Sequence, residues 1–378
     1  MTRNINNILV TGGLGFIGSH IVDLLLENGY KVRVLDNLDP QVHGPNQKLP
    51  KYANKDAEIT VGEITDRATL ANALSDMDAV IHQAASVGVG QSMYQIEKYV
   101  LQNTGGTSTL LDIIVNDDLP IKKIVVASSM SIYGEGKYLC GTCGSVNPDI
   151  RHDKQLKVGD WEPKCPNCGK ETSSVPTDEG KPLIPTSVYS QTKRHQEELC
   201  LLLGKSYNIP TVALRCFNVY GPRQSLRNPY TGVCAIFSSR ILNNKPPYVF
   251  EDGGQLRDFV SVKDIARANF QALERSSADF KAINIGSGKP ISILRLAEIL
   301  LDLYKVKLKP QISEKYRKGD VRHCYANIDL AKNILDYEPS VIIEDGLKEL
   351  VTYARANDWA SEDLFEKSLK ELEERKLT

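Results

Sequence analysis

Short apolar runs that end in glycine or polar residues recur along the first 285 residues of the chain. Strand-like runs of this kind occupy residues 7–11, 31–35, 58–61, 79–82, 121–127, 211–215 and 282–285. Between several of them, apolar residues return every three or four positions, as Ile17, Ile21 and Leu25 do, and this spacing is typical of an amphipathic helix. Such alternation predicts an α/β fold, a doubly wound Rossmann-like parallel sheet with helices on both faces.

Two stretches break this pattern. Residues 137–174 lose the periodicity and contain two Cys-x-x-Cys pairs, which indicates an insertion. After Asn218 the chain becomes rich in proline, glycine and aromatic residues, which predicts a smaller, loop-rich α+β lobe. We therefore expect a sheet domain from 1–136, 175–217 and 258–285, an inserted ribbon at 137–174, and a lobe from 218–257 and 286–378.

The end of the chain has a helical pattern of its own. From about residue 361, charged residues alternate with apolar residues at helical spacing, namely Leu364, Phe365, Leu369 and Leu372. This pattern predicts an amphipathic helix on the surface with one packed stripe.

Composition excludes some classes of protein. The 378 residues include 46 Lys plus Arg and 47 Asp plus Glu, so the net charge of −1 gives no general attraction to nucleic acid or to an anionic membrane. No run of 18 apolar residues occurs, and the amino-terminal residues do not resemble a signal peptide. We therefore expect a cytoplasmic protein that binds neither membranes nor nucleic acid.

A glycine-rich turn follows the first predicted strand. Residues 11–18 read TGGLGFIG and place Gly12, Gly15 and Gly18 just before the first helix, where bare glycines let a pyrophosphate approach the helix amino terminus. Asp36 ends the second strand, where a carboxylate can accept hydrogen bonds from the ribose diol of adenosine. Because that carboxylate repels a 2′-phosphate, the sequence favours NAD over NADP, although Arg33 lies in the same strand.

A tyrosine and a lysine that could act together in catalysis occur four positions apart. Tyr189 and Lys193 lie one turn apart on one face of a predicted helix. The ammonium group is expected to lower the pKa of the tyrosine, which can then act as a general base. A serine-rich turn with Ser129 follows the strand at 121–127, and Asn103 lies in the motif NTGGT.

Four cysteines of the insertion form two knuckles. Cys140 and Cys143 are separated by 21 residues from Cys165 and Cys168, and a glycine follows the second cysteine of each pair. This spacing predicts a closed, four-thiolate structural zinc site, with disulfides and free thiols as the alternatives. A metal with four protein ligands has no open position for a Lewis-acid role.

Together, these motifs resemble the extended short-chain dehydrogenase/reductase superfamily, and in particular its NAD-dependent nucleotide-sugar epimerase/dehydratase family. The resemblance covers nearly the whole chain apart from residues 137–174. It implies that Ser129 hydrogen-bonds the sugar hydroxyl that is oxidised, that Tyr189 is the base, and that Lys193 holds the nicotinamide ribose.

The resemblance also implies two sets of binding residues. The substrate set is Ser131, Asn218, Arg257 and Arg317, whose two arginines neutralise a nucleotide diphosphate. Glu63 stands where the family usually has aspartate near the adenine. The complete cofactor set is Gly12, Gly15, Phe16, Ile17, Gly18, Asp36, Asn37, Glu63, Ile64, Ala84, Asn103, Tyr189 and Lys193.

Two positions indicate which branch of this family the chain resembles. Sugar 4,6-dehydratases carry an acid, and usually a glutamate base, directly after the hydroxyl-binding serine or threonine. Met130 and Ser131 occupy these positions here, and neither side chain transfers a proton at pH 7. The resemblance therefore implies a 4-epimerase that works through a transient 4-keto sugar.

The insertion and residues 228–260 are similar to a subgroup of these enzymes, the dTDP-L-rhamnose 4-epimerases, which interconvert dTDP-L-rhamnose and dTDP-6-deoxy-L-talose. Epimerases of the UDP-galactose or UDP-glucuronate type are the closest alternatives. A remote alternative is a non-catalytic, NAD-sensing protein that docks to partners through its ribbon. With only Tyr138 and Trp161 as aromatic residues, the ribbon is a poor platform for nucleic acid.

Family members pair through two helices of each subunit, so the resemblance implies a homodimer. The matching stretches are residues 94–115 and 189–207. They contain enough apolar residues for a second buried face, namely Ile96, Val100, Leu110, Leu111, Ile114, Leu199, Leu201, Leu202 and Leu203.

Overall fold

A computed structural model describes residues 5–230, 232–356 and 363–378 of the chain. The strands in these residues are β1 Asn7–Thr11, β2 Lys31–Asp36, β3 Glu58–Val61, β4 Ala79–His82, β5 Lys123–Ser129, β6 Lys137–Cys140, β7 Gly144–Val146, β8 Ser173–Val175, β9 Thr211–Cys216, β10 Asn218–Tyr220, β11 Tyr248–Val249, β12 Leu256–Ser261, β13 Lys281–Ile285, β14 Pro290–Ser292, β15 Gln311–Ile312 and β16 His323–Cys324.

Helices alternate with these strands. The α-helices are α1 Phe16–Glu27, α2 Pro40–His43, α3 Arg67–Leu74, α4 Val89–Ser92, α5 Ile96–Tyr99, α6 Gly106–Asn116, α7 Asp153–Leu156, α8 Val188–Ser206, α9 Val233–Leu242, α10 Val262–Glu274, α11 Ile293–Tyr304, α12 Asp329–Leu335, α13 Ile343–Ala356 and α14 Phe365–Glu374. A π-helical turn, Val100–Gly105, links α5 to α6, and short 3-10 turns occupy Met130–Tyr133 and Ser276–Ala278. Within the described residues, no helix is both long enough and apolar enough to span a bilayer.

Seven strands form one parallel sheet in the order β13-β9-β5-β4-β1-β2-β3. Each corresponds to one of the seven strands predicted from the sequence, and the largest boundary difference is at β5, which runs from Lys123 to Ser129. Apolar residues cover both faces, with α1 and α10 on one side and α3, α6 and α8 on the other. The predicted α/β fold class is confirmed.

The strand order reverses between β1 and β4, because the chain first builds β2 and β3 on one side and then crosses to the other. At such a switch point the loops that follow the strands diverge and leave a crevice at their carboxyl ends. The glycine-rich turn after β1 lies at this crevice.

A second, smaller unit packs beside the sheet. Its strand β12 pairs in parallel with β10 and β16 and in antiparallel with β14. Helices α9, α11 and α13 bury an apolar core of their own around Phe237, Leu300 and Leu347. The insertion forms a third unit, an antiparallel sheet in the order β7-β6-β8 whose small core contains Tyr138 and Val146. The residue boundaries given above for the three domains stay a prediction.

The carboxyl-terminal helix is present as α14, Phe365–Glu374. The predicted start at residue 361 lies outside the described residues. Phe365, Leu369 and Leu372 are buried, so the packed stripe is confirmed.

Candidate active site

One cavity of about 580 Å³ lies at the carboxyl ends of the parallel strands and extends into the smaller lobe. It is lined by residues from both units, including Asp36 after β2 and Arg257 in β12. The predicted residues that line it are Gly12, Gly15, Phe16, Ile17, Gly18, Asp36, Asn37, Glu63, Ile64, Ala84, Ser129, Ser131, Tyr189, Lys193, Asn218, Arg257 and Arg317.

The glycine-rich turn leaves room for a ligand. Gly12 has φ +68°, and a Cβ there would lie 2.9 Å from the backbone nitrogen of Ala84. A Cβ at Gly18 would lie 2.1 Å from the carbonyl oxygen of Gly12, so only glycine fits. Gly15 caps α1 without a side-chain hydrogen bond, and a Cβ there would meet only the Gly12 oxygen, at 3.2 Å. The first turn of α1 is therefore open to a phosphate group.

Asp36 is held in place by backbone amides. Its Oδ2 accepts a hydrogen bond from the Leu14 amide and its Oδ1 accepts one from the Leu38 amide, each at 3.0 Å. His43 Nε2 lies 3.5 Å from Oδ1. Because a carboxylate can accept about four hydrogen bonds, Asp36 keeps acceptor sites for a ribose diol.

Arg33 is occupied elsewhere. Its Nε lies 2.9 Å from Glu58 Oε1, and its Nη1 donates to the carbonyl oxygens of Ala73 and Ser75 at 3.1 and 2.8 Å. Arg33 is not among the residues that line the cavity. Arg33, the cation that could have bound the 2′-phosphate of NADP, is thus paired outside the cavity. The remaining hydrogen-bonding groups near Asp36 fit NAD.

Asn103 does not line the cavity, contrary to what its place in the predicted cofactor set suggests. Its Oδ1 accepts a hydrogen bond from the Ser86 amide at 2.7 Å, and its Nδ2 donates to the Ser86 carbonyl and to Thr192 Oγ1, each at 3.0 Å. The side chain is fully buried. Asn103 therefore links the loop after β4 to helix α8 and supports the cavity wall without lining the cavity.

Helix α8 presents the tyrosine and the lysine. A capping box between Ser187 and Ser190 starts the helix, so Tyr189 lies in its first turn and Lys193 one turn further on. The Ser129 side chain at the end of β5 lies close enough to the Tyr189 hydroxyl to lower the tyrosine pKa. The structure therefore brings Ser129, Tyr189 and Lys193 together in one cavity.

The pKa values of this pair differ from the expectation. Burial raises the pKa of Tyr189 to about 12, although the hydrogen bond with Ser129 opposes this, and burial lowers the pKa of Lys193 to about 8. Removal of water is the largest cause of both shifts, because burial disfavours the charged form of each group. That the Lys193 ammonium group lowers the tyrosine pKa stays a prediction.

The carboxylates that line the cavity come from segments other than the turn at Ser129. Among the described residues that line the cavity, the acids are Asp36, Asp39, Glu63 and Asp320. The first three follow β2 and β3, at the end of the cavity with the glycine-rich turn. Next to Ser129, Met130 is buried in an apolar cluster, and Ser131 Oγ donates to Ser129 Oγ at 2.9 Å.

Two arginines meet at Asp320 in the smaller lobe. Arg317 Nη2 lies 2.7 Å from Asp320 Oδ2, and its guanidinium carbon lies 4.8 Å from the centre of the Phe250 ring. Arg257 Nη2 lies 3.5 Å from Asp320 Oδ1 and donates to the Val321 carbonyl at 2.6 Å. Burial tends to raise the pKa of Asp320, but the two arginines hold it below its ordinary value.

Asn218 supplies an unused acceptor. Its Oδ1 is buried and has no hydrogen-bond partner in the structure, although the residue lines the cavity. A buried acceptor without a partner is costly, so this atom indicates a place where a ligand donor binds.

The sequence missed the contribution of the carboxyl terminus. Phe365 and Leu372 of α14, together with Leu377, line the cavity. Glu371 accepts hydrogen bonds from Tyr94 at 2.8 Å and from Tyr230 at 2.5 Å, which fastens α14 across loops of both units. The periodicity predicted the helix and its stripe, but no pattern in the sequence shows what the stripe packs against.

The four predicted cysteine ligands come together in the ribbon. The Sγ atoms of Cys140, Cys143, Cys165 and Cys168 all lie within 4.8 Å of one another, and those of Cys140 and Cys168 are 3.6 Å apart. Hydrogen bonds from the Thr142 and Cys143 amides lower the pKa of Cys140 to about 6. With zinc–sulfur bonds of about 2.3 Å, tetrahedral thiolates lie about 3.8 Å apart, so this cluster fits zinc.

Comparisons with known proteins agree with this geometry. Residues 8–149 and 165–286 match the profile of the NAD dependent epimerase/dehydratase family. The chain is 36% identical to the dTDP-L-rhamnose 4-epimerase of Burkholderia thailandensis over 92% of its own length and 94% of that protein.

Solved structures show the same likeness. The UDP-glucose 4-epimerase of Thermotoga maritima, in complex with UDP-glucose, is 32% identical with a TM-score of 0.76, covering 93% of this chain and 99% of that one. The UDP-glucuronic acid 4-epimerase of Bacillus cereus, in complex with UDP-glucuronic acid and NAD, is 29% identical with a TM-score of 0.76 and the same coverage.

Proposed function

Because the chain belongs to the NAD dependent epimerase/dehydratase family, we propose that it catalyses the NAD-dependent 4-epimerisation of a nucleotide-activated sugar through a transient 4-keto intermediate. One observation carries this proposal. Ser129, Tyr189 and Lys193 share a cavity in which Met130 and Ser131 occupy the places of a dehydratase's acid and base.

NAD is the cofactor that the site fits, and when bound it supplies the acceptor and donor of hydride at C4 of the sugar. The open turn at Gly12 and Gly15 would hold its pyrophosphate, and Asp36 would hold the adenosine ribose. Asn37 and Glu63 lie beside each other near the expected adenine, with Asn37 Nδ2 3.2 Å from both carboxylate oxygens of Glu63.

The side chains around C4 move and hold the proton. Ser129 hydrogen-bonds the 4-hydroxyl group, and Tyr189 takes its proton as the hydroxyl becomes a ketone. In the reverse direction Tyr189 returns this proton to the same oxygen, and the epimer forms when the 4-keto sugar has rotated and is reduced on the other face of C4. Lys193 holds the nicotinamide ribose, and its positive charge stabilises the tyrosinate more strongly in this dry site than in water.

The smaller lobe would bind the nucleotide diphosphate. Arg317 is held by Asp320 and Phe250 with its guanidinium at the cavity, and Arg257 lies beside the same aspartate. Asn218 offers its unpaired Oδ1 to a hydroxyl or amide donor of the substrate. Ser131 can assist Ser129, to which it is hydrogen-bonded.

The substrate pair we favour is dTDP-L-rhamnose and dTDP-6-deoxy-L-talose. This choice is supported by the similarity to the Burkholderia thailandensis enzyme and by the apolar Met130 beside Ser129, which suits a 6-deoxy sugar. A UDP-glucose or UDP-glucuronic acid type of 4-epimerase is the second candidate, because the two structural relatives described above bind those substrates.

The cysteine cluster would hold one structural zinc ion. Four thiolates from Cys140, Cys143, Cys165 and Cys168 fill all positions of a tetrahedral ion. None of them lines the cavity, so the ion stabilises the ribbon and takes no part in the reaction.

Incubation with a panel of dTDP-, UDP- and GDP-sugars, followed by NMR, tests the proposal. We expect one nucleotide sugar to equilibrate with its C4 epimer, and dTDP-L-rhamnose to be turned over with the highest kcat/KM. Preference for a UDP-sugar would move the assignment to the second candidate. Bound NAD without turnover of any sugar in the panel would instead favour a non-catalytic NAD-sensing protein.

A further inference from the structure

The ribbon is connected to the diphosphate end of the cavity through one buried arginine. Arg151, which lies in the insertion, is 5% exposed. Its Nη1 and Nη2 donate to Glu251 Oε2 and Oε1 at 3.0 and 2.9 Å. Nη1 also donates to the carbonyl of Trp161 at 3.0 Å, and Nη2 to the carbonyl of Asp320 at 3.1 Å.

Asp320 is the residue at which the two cavity arginines meet. Its carboxylate pairs with Arg257 and Arg317, while its carbonyl oxygen accepts the hydrogen bond from Arg151. Arg151 therefore holds the backbone of the turn, and the side chain of the same turn residue orients both arginines.

Further contacts fix the strand that follows this turn. Arg322 Nη1 lies 2.9 Å from Glu251 Oε2, so Glu251 bridges Arg151 and Arg322. Glu162 of the ribbon lies 2.9 Å from His323 Nε2. Glu135, two residues before the start of the ribbon, accepts hydrogen bonds from the Arg322 and His323 amides at 2.5 and 3.3 Å.

No residue of the insertion, 137–174, lines the cavity. The ribbon can therefore influence substrate binding only through neighbours such as these. A two-pronged guanidinium–carboxylate pair fixes angle as well as distance, and in a buried site it does not exchange with water. The pair with Glu251 thus holds the Arg151 guanidinium in one orientation, in which Nη2 donates to the Asp320 carbonyl.

We propose that Arg151 is a positioning residue of the epimerase, through which the ribbon holds the Asp320 turn and thereby places Arg257 and Arg317 for the nucleotide diphosphate. This inference rests on the proposed function for the identity of the ligand. It assigns the insertion a part in substrate affinity, separate from NAD binding and from the proton transfer at Tyr189.

The test compares Arg151→Met and Arg151→Lys with wild type, using NAD-loaded protein with its metal content measured. Lys164→Met is the matched control, because Lys164 lies in the same ribbon and its ion pair with Asp160, at 3.1 Å, is partly exposed. Calorimetry gives the affinities for UDP and dTDP, and steady-state kinetics gives kcat and KM with the sugar that the panel identifies.

We expect Arg151→Met to weaken nucleotide binding and to raise KM by about 10- to 100-fold, since displacement of a binding group by about 1 Å has effects of this size. The value of kcat should stay within about twofold, and NAD affinity should not change. Arg151→Lys should recover part of the affinity because it restores the charge without the two-pronged geometry. Lys164→Met should behave as wild type.

Unchanged nucleotide affinity in Arg151→Met would overturn the proposal, and so would an equal loss of NAD affinity and kcat. If Arg151→Met does not fold, Glu251→Gln breaks the same pair from the other side and is judged by the same criteria. Wild type that binds UDP or dTDP but epimerises no sugar would refute the proposed function alone, because the affinities still decide the role of Arg151. Wild type that binds neither diphosphate would overturn this inference.

Discussion

At the scale of single residues, burial shifts the pKa values of the two titratable groups proposed to act in the reaction. Lys193 is buried with a pKa of about 8, and Tyr189 has a pKa of about 12. Neither value favours a tyrosinate at neutral pH in the protein alone. Bound NAD would bring a positive charge next to the phenol and would thereby lower the tyrosine pKa.

Replacement of Tyr189 by phenylalanine removes the proton acceptor and keeps the ring. We expect kcat to fall by about 10²- to 10⁴-fold, the usual contribution of general base catalysis, while NAD stays bound. Steady-state kinetics and the absorbance of extracted NAD provide the measurement. Tyr207→Phe, at the exposed carboxyl end of the same helix, should retain full activity. Turnover of Tyr189→Phe close to wild type would remove this residue from the mechanism.

Lys193→Met should stabilise the fold while it abolishes activity. The folded-state pKa of about 8 lies below the ordinary 10.5, so the cost of burying the ammonium is fully present below pH 8 and disappears as the pH rises towards 10.5. We expect a gain of about 3 kcal/mol at pH 7 that shrinks by pH 10. Thermal unfolding of the cofactor-free protein at both pH values measures it.

The exposed Lys205 on the same helix provides the control. Lys205→Met should change stability little at either pH, because its ammonium group stays in water. A Lys193→Met variant that is less stable than wild type at pH 7 would contradict the account of the buried charge.

A local sequence motif was sufficient to predict the backbone geometry of the glycine-rich turn. The glycine-rich turn needs glycine because a Cβ at Gly12 or Gly18 would collide with backbone. The sequence could not show that the side-chain amide of Asn103 hydrogen-bonds to Ser86 and Thr192, because these partners come from other segments of the chain. It also could not show the pKa values of Tyr189 and Lys193, which depend on how deeply the assembled fold buries them.

At the scale of elements, the alternation of strand and helix was sufficient to predict all seven strands of the main sheet. Most of them are largely buried on both faces, so their apolar runs are local. The exception is the edge strand β3, where Glu58 and Val61 are exposed. The strands of the smaller lobe are different. Strands β11, β15 and β16 are two residues long and are defined by their partners, so no pattern within them predicts their pairing.

We expect the stability of the ribbon to depend on a bound zinc ion. Purified protein should contain about one zinc ion per chain by elemental analysis, and Cys165→Ser should lose it. We expect this variant to loosen residues 137–174 and to raise KM more than it changes NAD affinity, because the glycine-rich turn lies in another part of the fold. Hydrogen exchange, kinetics and cofactor titration measure these three effects.

Cys200→Ala is the control for this experiment, because Cys200 is buried in the core of the sheet domain and should not affect the zinc content. Protein without zinc that carries a disulfide between Cys140 and Cys143 would contradict the metal site.

At the scale of the whole molecule, an apolar surface remains on the two helices expected to form a dimer. Of the predicted residues, Ile96, Val100 and Leu202 are 53%, 41% and 59% exposed. The other predicted residues are divided. Leu110, Leu111 and Ile114 are buried in the core of the chain itself. The second apolar face is therefore narrower than the sequence suggested, since periodicity does not distinguish a residue that packs on the sheet from one that packs on a partner.

We expect the protein to be a homodimer at micromolar concentration. Leu202→Glu should produce monomers, because a charge would be buried at the centre of the interface. Light scattering gives the mass of both proteins. Val158→Glu is a matched control, since Val158 is more exposed still and lies on the ribbon. A monomeric wild type would refute the dimer.

The central claim is that the cavity inverts C4 of a nucleotide sugar and does nothing else to it. The most direct measurement is NMR of the products formed in H₂O from a substrate that carries deuterium at C4, and in D₂O from an unlabelled substrate. We predict that the inverted product keeps its deuterium at C4, because a hydride that is transferred to and from NAD does not exchange with water, and that no solvent deuterium enters C5 or C6. Solvent label at C5, or release of a 4-keto-6-deoxy sugar from a substrate with a 6-hydroxyl group, would contradict the account, because each requires an acid or base that Met130 and Ser131 do not provide. Loss of the C4 label would contradict it as well, because the hydride taken from C4 would then not be the one returned to it.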